Sequence, residues 1–465
     1  MPNQVQALVV GAGISGLTTA FALQKAGIDA RIVEASARAG GLIQSERRDG
    51  YLVECGPQSF SGNATLTSLC RDLGILDRRI FADSKAPRFV LIDGALRNVP
   101  MGPGLLASPL LGGGTRTALL RDIFGKSAAP DADESVASFI RRKFSPTLLD
   151  RLVGPFVSGI YAGDPEKLSL RAAFPFLYEA EQASGSVLRG VYKVMKTKKA
   201  KHGALPREKP TLQTFRDGND TLVRALVAKL GSYLSLETEV ISICPLDTGR
   251  EPKSPRFRVG LRTASGEEFM ETERLVLAIP TDKAGKLLAP LNLAFESQLC
   301  AVDYSAVGVV SLGYRKEDVG HSLAGFGFLV PRSSGLTVLG TVWNSSLFPG
   351  RAPEHHALLT SFVGGATNPE VIKQPPGELV ALVHREIKPL MQLREGPIFS
   401  NVSVWPRALP QYNLGHTARL GAIDKHRAAY PGLYFVGNYL NGPAIGTCVE
   451  QALRVADEIR VSFAN

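Results

Sequence analysis

Gly11, Gly13 and Gly16 follow an apolar run, Val5 to Val10, in a G-x-G-x-x-G spacing. That spacing suits close contact between a backbone turn and a pyrophosphate. The first glycine permits a tight strand-to-helix turn, the second lets the backbone approach the phosphates, and the third lets helix and strand pack closely. The helix that follows would offer free N–H groups and a positive dipole end to the anion. Gly11, Ala12, Gly13, Ile14, Ser15 and Gly16 are therefore candidate contacts for a dinucleotide. Glu34, 18 residues after Gly16, is placed to accept hydrogen bonds from ribose hydroxyls. A lone glycine triplet would say little; its position between a strand and a helix, with an acid on register, gives the signal its weight. An acid there serves NAD as well as FAD.

These residues need a βαβ frame. Gln4 to Val10 reads as a buried parallel strand, Ser15 to Ala26 as a helix closed by Gly27, and Ile28 to Glu34 as the second strand. A further helix is expected at Ala64–Leu73, with Gly74 ending it. Helical patterns at 115–124, 134–144, 146–157 and 171–197 read as a mostly helical insert. Asp220–Leu230 reads as another helix, and Leu234–Cys244, Arg256–Arg262 and Arg274–Ile279 as strands. Val307–Tyr314, Gly327–Val330, Leu336–Val342 and Leu358–Val363 alternate as a mixed or antiparallel sheet would. Gly432–Gly437 reads as a short strand feeding a final helix, Thr447–Arg460.

The 465 residues allow two or three domains at roughly 100–200 residues each. Hydrophobic residues make up 44% and charged residues 21%, so the chain can bury a sizeable core. No apolar run reaches the roughly 20 residues of a membrane span, and the first residues do not read as a signal peptide. The five cysteines are scattered, with no C-x-x-C pair, which argues against zinc and against a disulfide framework, and no metal is expected. A reducing, cytoplasmic compartment is expected. The net charge of +10 is partly local, in the lysine-rich stretch Lys193 to Lys209. Such a run is a solvated loop or a contact for anionic lipid headgroups. Nucleic acid is not expected, because no aromatic residues alternate with those lysines beyond Tyr192.

The choice of cofactor comes from a resemblance. Arg38-Ala-Gly40-Gly41 resembles the R-x-G-G element of glutathione-reductase-like FAD proteins with an amine-oxidase-type fold. Glu54-Cys-Gly56-Pro57 resembles that family's turn beside the flavin. Gly432-Leu-Tyr-Phe-Val-Gly437-Asn438 to Gly446-Thr-Cys448 resembles its closing strand, turn and helix. The resemblance implies non-covalent FAD. It also implies contacts at Ala35, Arg38, Gly40, Gly41, Leu42, Gly56, Pro57, Gln58, Ser59, Val240, Gly437, Asn438, Ile445, Gly446, Thr447 and Cys448. Arg38 would approach the pyrophosphate. The last helix would point at the flavin, whose reduced form carries negative charge that a helix N-terminus stabilises. Cys448 is expected as a packing residue, not a covalent tether.

Further stretches are similar to the oxygen-dependent protoporphyrinogen oxidases. They are Ser158-Gly-Ile-Tyr-Ala-Gly163-Asp-Pro-Glu-Lys-Leu-Ser169, Pro87-Arg88-Phe89, Gly325-Phe-Gly-Phe-Leu-Val-Pro331, Ser361-Phe362-Val-Gly-Gly365 and Leu409-Pro-Gln-Tyr-Asn-Leu-Gly-His416. The likeness spans essentially the whole chain; Gly218-Asn219 departs from it, where relatives often show two glycines. It implies an α/β fold: a Rossmann-type FAD-binding domain (1–80, 205–290 and 405–465), a mixed-sheet substrate domain (81–95 and 291–404) and a mostly helical, membrane-associating insert (96–204). It implies oxidation of protoporphyrinogen IX to protoporphyrin IX by FAD with dioxygen, releasing hydrogen peroxide. Arg88 would pair with a propionate, Phe326, Leu329, Val342 and Phe362 would wall the tetrapyrrole pocket, and Gly159 would sit at the reacting bridge carbon. No residue is assigned as general base. Diphenyl-ether-type inhibitors, a homodimer and a peripheral place on the inner face of the cell membrane are expected partners and location. Coproporphyrinogen III oxidation is the main alternative. An amine oxidase would want an aromatic cage, and a carrier of prenylated proteins a degraded phosphate loop; neither is seen in the sequence.

Overall fold

The computed structural model describes residues 4–100, 102, 104–125, 132–193, 211–246 and 256–464. Its first sheet grows from β1 (Gln4–Val10), followed by α1 (Ile14–Lys25) and β2 (Ala30–Val33), with β1 and β2 parallel. On the other side of β1 runs the long strand Gly266–Leu277, also parallel to it. The outer edge of that strand is shared. Its first half forms an antiparallel ladder with Phe257–Thr263, and its last residues pair in parallel with Leu433–Phe435. The closing strand near the C-terminus is thus stitched beside the opening strand.

Side chains of β1 alternate between the two faces, as a pleated strand requires. Ala7 and Val9 enter a core with Leu17, Leu69, Leu222, Leu226 and Val449; Leu8 and Val10 enter the opposite core with Ala284, Leu288, Phe295 and Leu299. Helix Leu293–Cys300 therefore packs in the same core as β1, on the far side of the expected boundary at 290/291.

The second seven-stranded sheet runs in the order Phe399–Pro410, Tyr304–Arg315, His356–Gly364, Val338–Val342, Gly327–Leu329, Arg88–Ile92, Ala95–Asn98. Two more expected boundaries are crossed by paired strands. Strand Phe399–Pro410 pairs with Tyr304–Arg315 as far as Pro410, with one register shift after Trp405, so the cut at 404/405 falls between two paired residues of the same strand. The hairpin Arg88–Ile92 to Ala95–Asn98 likewise crosses the cut at 95/96. Helix Pro376–Met391 covers one face of this sheet, where Leu379, Val383, Ile387 and Met391 join Phe328, Val310, Leu312, Leu359 and Val363.

The insert has its own core, built from Val136, Phe139, Ile140, Leu149, Val157, Tyr161, Leu168, Leu170 and Val187. The helix expected at 146–157 is present and runs on to Tyr161, with its backbone widened over Leu149–Val153 between Pro146–Leu148 and Gly154–Tyr161. Of the helical patterns expected over 171–197, helices Leu170–Ala173 and Pro175–Ser184 are described, separated at Phe174, the second ended by Gly185 with a left-handed φ of +66°; residues 194–197 lie outside the described residues. Lysine positions beyond Lys193 lie outside the described residues, and so does the test of that loop. Among the described residues no helix is long and apolar enough to cross a membrane, and no cluster of ligands could hold a metal ion.

Candidate cofactor and substrate site

The three glycines of the first turn carry three different constraints. Gly11 has φ +101°, and a Cβ there would lie 2.7 Å from the Ala278 carbonyl oxygen. Gly16, in the first turn of α1, packs against the end of β1 so tightly that a Cβ would stand 1.9 Å from the Gly11 carbonyl oxygen. Gly13 is different: its backbone is ordinary (φ −70°, ψ 174°), and a Cβ would meet nothing within 4 Å. No neighbour in the fold requires glycine at 13. The open space above it, at the N-terminus of α1, is the cradle a pyrophosphate would fill.

Glu34 closes the other side of the turn. One carboxylate oxygen accepts from Ala12 N at 2.7 Å, and the other from Ser36 N at 3.0 Å and Ser36 Oγ at 2.7 Å. A carboxylate offers about four lone-pair sites, so capacity remains for ribose hydroxyls. Thr238 N donates to the Glu34 carbonyl, which brings the start of strand Glu239–Pro245, with buried Val240, beside the acid. Ala35 is exposed at the rim.

Arg38 folds back on its own loop. Its guanidinium donates to the carbonyls of Ala39 and Ile43 at 3.0 Å each and of Gly41 at 2.5 Å. It braces the glycine pair from behind. Gly40 N donates to Ala12 O at 2.7 Å, and a Cβ on Gly41 would reach within 3.4 Å of Gly13 Cα, so the pair lies over the first turn. A Cβ on Gly56 would lie 2.0 Å from the Leu42 carbonyl oxygen, which presses the 56–59 turn onto the same loop. Gln58 Nε2 donates to the carbonyls of Glu54 and Gly56, its Oε1 accepts from Asn344 Nδ2, and Pro57 O accepts from Asn219 Nδ2. Ser59 is half-buried on the same turn.

At the C-terminal end Gly437, with φ +157°, donates its N–H to Gln451 Oε1, and Asn438 follows it into the loop before helix Ile445–Ala464. A Cβ on Gly446 would come within 3.0 Å of Asn63 Nδ2, and Thr447 packs against Gly442. Cys448 is buried beside Ser15, so the starts of α1 and of the last helix meet here. Burial pushes the Cys448 thiol up to about 11, which keeps it protonated and a poor nucleophile.

The substrate-side residues are gathered by the register of the second sheet. Residues directly opposite in a ladder project from the same face. One row reads Arg88, Gly327, Val342, Thr360, Ser311, Asn401; the next reads Leu329, Gly340, Phe362, Val309, Ser403. Arg88, Leu329, Val342 and Phe362 therefore lie on one face, opposite the face covered by helix Pro376–Met391. They are half-buried, whereas their neighbours Phe328, Thr341, Ser361 and Val363 are buried. Phe326 precedes the strand, and its ring lies 5.4 Å from the Arg88 guanidinium carbon. Among the described residues that guanidinium has no carboxylate partner. Gly159, exposed on helix Gly154–Tyr161, abuts the second row: a Cβ there would lie 2.4 Å from Leu329 Cδ2. Trp405 Nε1 donates to the Cys55 carbonyl at 2.6 Å, joining this sheet to the turn before Gly56.

Sequence reasoning missed the ion pair behind that turn. Glu54 and Arg351, each 2% exposed, meet at 2.8 Å although 297 residues separate them. Ser45 Oγ and Asn219 N also donate to Glu54, and Arg351 donates to Thr214 Oγ1 and Phe215 O. Desolvation pushes the Glu54 carboxyl up and the Arg351 guanidinium down, each opposed by the other's charge. Glu54 stood within a quoted motif, but nothing near Arg351 in the chain marks it as a partner.

Comparison with known proteins places this geometry. The family model for flavin containing amine oxidoreductases matches residues 14–460. The chloroplastic protoporphyrinogen oxidase of Nicotiana tabacum is 36% identical, over 98% of this chain and 85% of that protein. The coproporphyrinogen III oxidase of Bacillus subtilis is 28% identical, over 98% of each. Among solved structures, a candidate protoporphyrinogen oxidase from Exiguobacterium superposes with a TM-score of 0.80 at 24% identity over 99% of both chains. Cyclohexylamine oxidase from Brevibacterium oxydans superposes at 0.70 with 18% identity, covering 99% of this chain and 100% of that one. These two similarities speak to the fold.

Proposed function

The chain belongs to the flavin-containing amine oxidoreductases, in their protoporphyrinogen oxidase group, and from that premise we propose that it oxidises protoporphyrinogen IX to protoporphyrin IX with dioxygen as acceptor. It is an FAD-dependent oxidoreductase, and porphyrinogen oxidation in haem biosynthesis is the activity its relatives support. The observation that carries the finer reading is the single sheet face holding Arg88 beside half-buried Phe326, Leu329, Val342 and Phe362.

The cradle over Gly13, with Glu34 and the starts of two helices, fits FAD bound without a covalent link. The Gly11–Gly16 turn, Glu34 and the two helix starts would hold FAD, which when bound would supply two-electron oxidation of the porphyrinogen, with dioxygen as the final acceptor and hydrogen peroxide as its product. Arg88 would receive a propionate, for which a planar guanidinium suits a bidentate contact. Its stacking on Phe326 holds the fork in place without neutralising it. The apolar walls suit the vinyl groups of protoporphyrinogen IX better than the extra propionates of coproporphyrinogen III. Gly159 would let the macrocycle come close where any side chain would stand in the way. The two rows contain no histidine and no carboxylate. The protein's contribution is orientation and exclusion of water. Diphenyl-ether-type inhibitors would compete for the same face.

Exposed Leu120, Phe124, Phe156 and Ile160 on the insert support a peripheral contact with the cytoplasmic face of a membrane, from which apolar substrate could enter. Sedimentation with vesicles at low salt tests that contact. The enzymatic test is porphyrin fluorescence formed under air from each porphyrinogen, with peroxide measured in parallel. We expect faster turnover of protoporphyrinogen IX; a preference for coproporphyrinogen III would overturn the substrate assignment.

A further inference from the structure

The segment Leu409-Pro-Gln-Tyr-Asn-Leu-Gly-His416 has no residue in the glycine turn or among the pocket walls, yet Tyr412 and His416 are buried as deeply as the core. Their rings stack, 4.6 Å between centroids and 17° between planes. Each ring donates one hydrogen bond to consecutive carbonyls of the loop that leads into the last helix. The Tyr412 hydroxyl donates to Asn438 O, and His416 Nε2 donates to Tyr439 O at 2.8 Å. A carbonyl only accepts, so Nε2 carries the proton. Nδ1 is buried without a partner among the described residues, and burial lowers the pKa to about 4, so the ring stays neutral.

The backbone of the same segment is tied to the helical insert. Ser169 N donates to Tyr412 O at 2.8 Å, and Leu414 N to Lys167 O at 2.9 Å. Gly415 N donates to an Asp133 carboxylate oxygen at 2.9 Å, whose other oxygen accepts from Ser169 Oγ at 2.6 Å. Gln411 Nε2 donates to the carbonyl of Tyr161, two residues beyond Gly159, and the Tyr161 ring meets the Tyr412 ring edge-on. Rings face the cofactor loop; backbone faces the insert.

We propose that Tyr412 and His416 are positioning residues that set the Asn438–Tyr439 turn against the flavin, and that residues 411–416 form a strut through which docking of the helical insert is felt at the cofactor. This rests on assigning the Gly437–Cys448 segment to FAD. Two donors on successive carbonyls fix the orientation of successive peptide planes, which a single bond would leave free to rock.

The test uses the FAD-loaded enzyme. Tyr412→Phe keeps the ring stack and removes one hydroxyl. We expect unchanged FAD content and KM, a displaced flavin absorption band and midpoint potential, and kcat lowered about threefold to tenfold, the equivalent of one hydrogen bond. His416→Leu should displace the band the same way, whereas His416→Gln, whose amide can still donate to Tyr439 O, should recover towards wild type. Asp133→Asn, on the insert, should produce the same displacement at smaller amplitude. A folded Tyr412→Phe enzyme with wild-type spectrum, potential and kcat would overturn the proposal. If that variant does not fold, identical spectra for His416→Leu and His416→Gln would overturn it. A wild-type chain that takes up no FAD would instead remove the flavin assignment beneath it.

Discussion

Gly13→Val separates folding from cofactor binding. The backbone at 13 is extended and open to any L-residue, and a Cβ there meets nothing within 4 Å. The variant should therefore fold, with an apo stability within about 0.5 kcal/mol of wild type, as for an unobstructed surface change. The two methyl groups would occupy the space a pyrophosphate needs, so FAD should be lost. With it goes the linkage stabilisation, about 2.7 kcal/mol when FAD is present at a hundredfold its Kd. Gly16→Ala is the control, because its Cβ would stand 1.9 Å from a backbone oxygen that cannot rotate away. Relieving that clash means parting α1 from β1, at a cost of about 1–3 kcal/mol or more, with or without FAD. The assay is flavin absorbance per protein, together with thermal unfolding of apo protein with and without added FAD. Wild-type responses to FAD in Gly13→Val would refute the cradle. An apo Gly13→Val that unfolds as readily as Gly16→Ala would refute the geometric argument.

Arg88→Ala should raise KM more than it lowers kcat, by about 1.5–3 kcal/mol in kcat/KM, since a propionate contact is made equally in ground and transition states. Arg88 has no carboxylate partner in the described fold, so thermal stability should barely change; Arg88→Lys should recover only part of the loss, and a wild-type KM in the alanine variant would make Arg88 a bystander. Arg351→Met leaves Glu54 buried without its counter-charge and should destabilise the protein by about 3–5 kcal/mol, read as a lower denaturant midpoint; Arg351→Met with Glu54→Leu should recover much of it. Denaturing the purified enzyme should release all of its flavin into the supernatant, and a thiol reagent at neutral pH should modify exposed Cys244 before buried Cys55 and Cys448. Flavin retained on the denatured chain would contradict the protonated, shielded state of Cys448.

The βαβ turn was legible because its demands are local. Gly11, Gly13, Gly16 and Glu34 are set by the geometry of one strand, one turn and one helix, and short-range spacing records all of it. Helix Asp220–Leu230 and most strands of the second sheet were legible from periodicity for the same reason. Strand Phe399–Pro410 was hidden by Pro406 and Pro410; it is tolerated because it is the edge strand of its sheet, where a missing N–H leaves no ladder bond unmade. Helix Pro376–Met391 carried its apolar spacing at Leu379, Leu382, Val383 and Ile387, interrupted by Pro389 near its end.

Spacing along the chain thus determined where a pyrophosphate can be held, since every group it needs lies within one supersecondary unit. It could not determine that Arg88, Leu329, Val342 and Phe362 share a face, because one residue of slip in any ladder would turn that strand's side chains to the other side. Nor could it pair Glu54 with Arg351, or aim Tyr412 and His416 at Asn438 and Tyr439 while Ser169 and Asp133 hold their backbone. Glu54 and Arg351 are 297 residues apart, and no spacing rule ties Tyr412 and His416 to the turn 26 and 23 residues further on; these contacts exist only once sheet register and domain packing bring the segments together.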